Sequence, residues 1–166
     1  VDVALSLIAV WKAFKGLLAA VKVTKAKKFI KTSSTQKVNM SVQEYLDKYV
    51  PKQYHEEVLK GFGDDAVVSM AQKDIKVYRY YGNNNPIGHW VTPNQYANPI
   101  SALALDSTQN SAEHMATYIL KKGTLLIEGK VIPLNGQLGG GYQYYIAILK
   151  NAKKVTTKNC VYYTKK

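Results

Sequence analysis

The chain is poor in the residues that most often carry strong chemistry. It has one cysteine, Cys160, and three histidines among 166 residues. A lone cysteine excludes an internal disulfide framework and any cysteine-based zinc site. No histidine stands close enough in sequence to Cys160 to make it a convincing nucleophile. A paired-histidine pattern or a His/Asp/Glu cluster with metal-ligand spacing is also missing, so no metal is expected. Acidic residues are scarce, 11 against 23 basic ones, which leaves a net charge of +12. Among the basic residues arginine is nearly absent: Arg79 is the only one. No apolar run reaches the roughly 20 residues that a spanning helix needs.

What is there fits a folded domain. Hydrophobic residues make up 46% and charged residues 20% of the chain, an ordinary globular balance. The length suffices for one domain with a real core plus an extension. A basic protein attracts nucleic acid, anionic lipid, phosphorylated ligands or an acidic protein partner, and charge alone does not choose among them. The single arginine is more informative. Its planar fork holds two phosphate or carboxylate oxygens together, which a lysine cannot do.

Residues 1–31 place Leu5, Ile8, Trp11, Leu18 and Val21 at helical spacing, punctuated by Lys12, Lys15, Lys22 and Lys25. This predicts a basic amphipathic helix. The order, apolar first and basic afterwards, does not suit a signal peptide. Two readings stay open: a helix that packs on the domain or on upstream sequence, which is the expected one, and a segment in contact with a membrane surface. Residues 32–38 read as a linker. Ser41 with Glu44 forms a capping-box pattern that starts a helix over 42–49, closed by Pro51. A second helix is predicted over 53–62, ending at Gly61 or Gly63, and a third, short one capped by Asp64 or Asp65 through Gln72. The acidic residues of this stretch are expected on solvated helix faces.

From Ile75 the pattern changes to period two. Residues 75–81 alternate and are rich in β-formers, so they form a strand. Further strands are predicted over 116–120, 123–129 and 143–149, with 130–133 continuing or following the second of these. A short extended piece covers 89–92, a helical turn followed by extended chain covers 99–106, and an edge strand is expected over 155–163. The whole is an α+β domain, a helical N-terminal region (1–74) followed by a mostly antiparallel β-sheet core (75–166).

Three pieces stand out in the sheet half: Tyr78-Arg79-Tyr80-Tyr81-Gly82, then Gly88-His89-Trp90-Val91-Thr92-Pro93, then Gln137-Leu138-Gly139-Gly140-Gly141-Tyr142-Gln143-Tyr144. Glycines directly before a strand let backbone approach a ligand and adopt positive φ. The strand that follows presents Gln143 and Tyr145 on one face and Tyr142 and Tyr144 on the other. The stretch is not a P-loop, which ends in Gly-Lys-Ser/Thr and leads into a helix, nor a Rossmann fingerprint, which also leads into a helix. His89 reads as a loop histidine.

In this order the pieces resemble the tuberculosis necrotizing toxin domain, over residues 77–145. That family consists of NAD-degrading toxins built on an ADP-ribosyltransferase-like fold. The resemblance implies NAD as substrate, no separate cofactor, and catalytic roles for Arg79, Trp90 and Gln143. Trp90 stands where the family has Tyr or Phe. Tyr78, Tyr80, Gly82, Thr92, Gln137, Gly139, Gly140 and Gly141 are expected to line the NAD-binding cleft. The family also tends to carry a second arginine before a Ser-Leu-Pro piece. Here that region reads Ser101-Ala102-Leu103-Ala104-Leu105-Asp106, and Lys121, Lys122 or Lys130 is left to supply the charge.

Residues 1–74 bear a weaker likeness to the uptake region that precedes toxin domains in contact-dependent inhibition effectors. The resemblance further implies a domain at the end of a secreted or cell-surface protein, delivered into the cytoplasm of a target cell, with a cognate immunity protein that the net charge predicts to be acidic. ADP-ribosyltransferase or ADP-ribosyl cyclase activity on the same scaffold is the nearest alternative. A nuclease toxin would suit the charge, but without a metal cluster nucleic acid is not the expected partner. A third class is a membrane-active module built on residues 1–31.

Overall fold

The computed structural model describes residues 33–155 and 160–164. The amphipathic segment 1–31 lies outside the described residues. Contacts group 34–166 into one unit.

The chain opens with β1 (Thr35–Lys37), followed by helix α1 (Val42–Tyr49), a 3₁₀ turn (Lys52–Tyr54) and helix α2 (His55–Lys60). Ser41 caps α1 as its spacing to Glu44 predicts: the Glu44 amide donates to Ser41 Oγ at 3.1 Å, and the Ser41 amide donates to Glu44 Oε2 at 2.6 Å. Bonds from the Ser41 amide and hydroxyl hold the Glu44 carboxyl below its usual range. Strands β2 (Val67–Ala71), β3 (Ile75–Tyr81) and β4 (Trp90–Val91) follow, then the short helix α3 (Pro99–Ala102). The remaining strands are β5 (His114–Leu120), β6 (Leu125–Lys130), β7 (Tyr142–Tyr145), β8 (Lys150–Val155) and β9 (Cys160–Thr164).

These strands make two sheets. One has five strands in the order β1-β2-β6-β7-β4, the other four in the order β3-β5-β9-β8. Every pairing is antiparallel except β5 with β9. Alternation along β6 and β7 sets the layers. Leu126 and Tyr144 face the four-stranded sheet and pack with its Val77, Tyr118 and Leu120. Ile127 and Tyr145 face the other way, towards Tyr45 and Leu46 of α1 and Val58 of α2. The five-stranded sheet is thus covered on both faces, by helices on one and by the second sheet on the other. The fold is α+β with mostly antiparallel sheets.

Several elements differ from their sequence expectation. Residues 67–71 are a strand, not the third helix. Val67 and Val68 are β-branched, and β2 lies between β1 and β6, with Val68 only 1% exposed; tertiary pairing outweighs the Asp-based cap signal. Within the expected linker, 35–37 pair with Ala71, Met70 and Ser69. The strand expected over 155–163 is split: β8 ends at Val155, and β9 starts at Cys160 and is internal, between β5 and β8. β6 stops at Lys130 and does not continue to Pro133, and β7 stops at Tyr145, short of Leu149. β5 starts at His114 because it pairs along its whole length with β3. Residues 34–74, grouped by sequence with the N-terminal helical region, belong to the same unit as the sheets: β1 and β2 are strands of one sheet, and α1 and α2 cover it.

Candidate active site

A backbone bridge joins the two sheets beside the site. Tyr78 of β3 and Thr92, just past β4, exchange a pair of backbone hydrogen bonds of 2.8 Å each. This bridge carries Arg79 to Trp90. Trp90 in turn pairs with Tyr145 of β7, two residues beyond Gln143. A residue of one sheet and a residue of the other, distant in sequence, therefore reach the wall of one cavity of about 300 Å³. Arg79, Trp90 and Gln143 all line it.

Each of the three is held by backbone. The Arg79 guanidinium donates from Nη1 to the Trp90 carbonyl at 3.2 Å and from Nε to the Asn85 carbonyl at 3.4 Å. Its flat face lies so close to Gly88 that a Cβ there would overlap it. Gln143 is 7% exposed, and its Nε2 donates to the Gly61 carbonyl at 2.6 Å. Trp90 packs between Phe62 and Tyr145, with ring centroids 5.3 and 5.0 Å away. Gly61 backs both Trp90 and Gln143: a Cβ on it would overlap the six-membered ring of Trp90 and press on the Gln143 amide. Gly61→Ala is therefore expected to lower activity at least tenfold while the chain still folds, since its backbone is ordinary right-handed helix. Activity at a temperature where circular dichroism shows both proteins folded checks this.

Of the residues expected to line the cleft, Tyr78, Tyr80 and Thr92 do so. The Thr92 hydroxyl is occupied by the Tyr142 carbonyl at 2.7 Å, and the Tyr80 hydroxyl accepts from the Tyr96 amide at 2.8 Å. Gly82, Gln137, Gly139, Gly140 and Gly141 lie outside the wall of this cavity. The glycine run serves the chain itself. Gly139 has φ +68° and sits against the backbone of Val131 and Ile132, and Gly141 sits against the Ala102 carbonyl. Their amides donate to Ser101 and Ala102 at 2.9 Å each. The run thus docks α3, and the 103–106 turn that follows α3 lines the cavity.

Lys121, Lys122 and Lys130 are likewise absent from the wall. Lys121 is paired with Asp74 at 2.9 Å, and the Lys122 amide bonds the same carboxylate. Two acidic residues are on the wall instead, Glu57 of α2 and Asp106. Bonds from the Thr108 hydroxyl and amide hold the Asp106 carboxyl below its usual range. The sequence gives no local signal for either residue, because their place depends on how the helices dock. Among the described residues no three His, Cys, Asp or Glu side chains gather as a metal site.

No family model and no curated protein matches this chain. Solved structures that match this chain include the following two. One is Tse6 in complex with Tsi6, 16% identical, with a TM-score of 0.51 over 64% of this chain and 84% of that one. The other is Tne2 in complex with Tni2, 14% identical, with a TM-score of 0.45 over 59% and 88%. The likeness to Tse6 is one of fold.

Proposed function

We propose that this domain cleaves NAD at its nicotinamide–ribose bond and releases nicotinamide and ADP-ribose. The observation that carries the reading is the convergence of Arg79, Trp90 and Gln143 on one cavity, the three residues to which the motif resemblance assigns the chemistry.

The residue types suit the reaction. The bond between the ribose C1′ and the ring nitrogen breaks with both electrons passing to the nitrogen, which loses its positive charge. The leaving group thus needs no strong acid. The protein has to orient the dinucleotide and stabilise an oxocarbenium-like ribose. Arg79 holds phosphate oxygens. Trp90 offers its ring to the nicotinamide and shields the cation. The Gln143 side chain donates its amide hydrogen to Gly61, which leaves its carbonyl oxygen to accept from a ribose hydroxyl or from the attacking water. Water adds to C1′ and gives up a proton to solvent.

The fold likeness and the motif resemblance support an ADP-ribosyltransferase-like architecture and a toxin domain delivered from a secreted or surface protein into a target cell. The test is incubation of the purified domain with NAD and resolution of the products. Nicotinamide and ADP-ribose in equal amounts are expected. A cyclic product or labelled protein would assign the domain to cyclisation or ADP-ribosyl transfer instead, and intact NAD would sink the reading.

Tse6 was solved with Tsi6 bound, and this chain carries a charge of +12. We infer an acidic immunity protein that blocks the cavity around Arg79 and Gln143. An acidic protein that binds this domain at the cavity should abolish NAD loss when coexpressed with it. Full consumption in the presence of a bound partner would refute the blocking role.

A further inference from the structure

Gln143 sits where the ladder between β4 and β7 runs out. Trp90 and Val91 face Tyr145 and Tyr144 in antiparallel register, and the Ile146 amide donates to the His89 carbonyl at 2.9 Å. In an antiparallel ladder every second facing pair exchanges both backbone bonds. From His89 and Ile146 that series runs through Val91 and Tyr144 to Pro93 and Tyr142. Proline has no N–H to give, so the strand alone cannot serve the Tyr142 carbonyl. Two side chains take over. Thr92 Oγ1 donates to the Tyr142 carbonyl at 2.7 Å, and the Tyr142 amide donates to the Tyr96 hydroxyl, also at 2.7 Å.

Tyr96 is not on the cavity wall; it stands behind it. Its ring lies over Gly141, where a Cβ would come within 3.1 Å of Cζ, and it packs with Tyr80 against Leu103, Ala104 and Val131. Its own amide donates to the Tyr80 hydroxyl at 2.8 Å. Tyr96 therefore ties β3, one residue past Arg79, to β7, one residue before Gln143. We propose that Tyr96, with Thr92 on the carbonyl side of Tyr142, is a positioning residue for the Gln143 carboxamide. The role rests on the NAD-cleavage reading, in which that carboxamide acts at the ribose. The Gly61 carbonyl pins the far end of the Gln143 side chain at 2.6 Å. The near end is as steady as the backbone that carries it, and that backbone begins at Tyr142. Without the Tyr96 hydroxyl the Tyr142 amide loses its partner at the point where the ladder has already stopped.

The test is Tyr96→Phe, which keeps the ring and removes the oxygen. Well below the melting temperature of every variant, kcat for NAD should fall about tenfold with KM largely unchanged, since a shift of about 1 Å at a reacting group can cost about 10²-fold. The same substitution in a Gln143→Ala background separates positioning from general weakening. With no carboxamide left to aim, it should cost less than about twofold in kcat, whereas an independent effect adds in full. A readout without turnover is exchange of the Gln143 side-chain amide hydrogens, followed by NMR. The Gly61 carbonyl protects them in the parent, and Tyr96→Phe should quicken their exchange about tenfold. Thr92→Val, which takes the donor from the Tyr142 carbonyl, should quicken it too and serves if Tyr96→Phe fails to fold. Parental kcat and exchange in both variants, or a full tenfold loss in the Gln143→Ala background, overturns the positioning role and leaves cleavage standing. Faster exchange in the variants of a domain whose parent leaves NAD intact keeps the hold on Gln143 and overturns the cleavage reading. Unchanged exchange with NAD intact overturns both.

Discussion

Gln143→Ala is expected to slow nicotinamide release by about 10²–10³-fold, the usual cost of removing one preorganised polar group that acts on the transition state. The loss should fall on kcat more than on KM, because in the proposed reaction the carboxamide acts at the reacting ribose and not on the phosphates. Removing the side chain also strips the Gly61 carbonyl of its 2.6 Å partner, a further cost in stability of about 1–3 kcal/mol. The rate is therefore compared well below the melting temperature of the variant. Gln143→Glu makes the sharper test. It should also be impaired at neutral pH, because a carboxylate placed against the Gly61 carbonyl brings two acceptors together with no proton between them. A Gln143→Glu protein with parental activity at pH 7 would show that the anchored carboxamide is not what the reaction uses.

Much of this arrangement is legible in the sequence wherever a local period or cap decides the structure. The Ser41–Glu44 box gives α1 its start because both reciprocal bonds are local. The alternation over 75–81 gives β3, and the alternation through β7 correctly separates Tyr142 and Tyr144 from Gln143 and Tyr145, whose neighbours lie in different layers. Reading fails where the decisive contact is remote. Val67–Ala71 is a short apolar run behind two aspartates, and only pairing with β6 settles it as a strand. The glycines at 139 and 141 signal close backbone approach, and close approach is what the structure has, but to the chain's own residues 102, 131 and 132. A sequence cannot distinguish that from approach to a ligand. Gly61 and Glu57 carry no signal at all: one is an ordinary helix end and the other an ordinary helix-surface acid until α2 docks beside Trp90. Arg79, by contrast, is conspicuous from composition alone.

That conspicuousness yields the second large effect. Arg79→Ala should lower kcat/KM for NAD by at least about 10–100-fold, the equivalent of about 1.5–3 kcal/mol for hydrogen bonds to a charged group, and should do so mostly through KM. Arg79→Lys keeps the charge in a chain that already holds +12, yet should recover little of the loss. The guanidinium is aimed by two carbonyls, those of Asn85 and Trp90, and a point charge on a flexible stem cannot meet both of them and a diphosphate in one plane. Gly88→Ala separates aim from charge. The arginine stays, but the new methyl group occupies the space of its flat face, so the fork must turn away. If orientation is what matters, Gly88→Ala and Arg79→Lys show the same raised KM with kcat largely retained, and adding salt weakens the parent's binding of NAD more than theirs. If Arg79→Lys binds NAD as well as the parent does, positive charge alone suffices, and the single arginine has no role that the lysines of this chain could not fill.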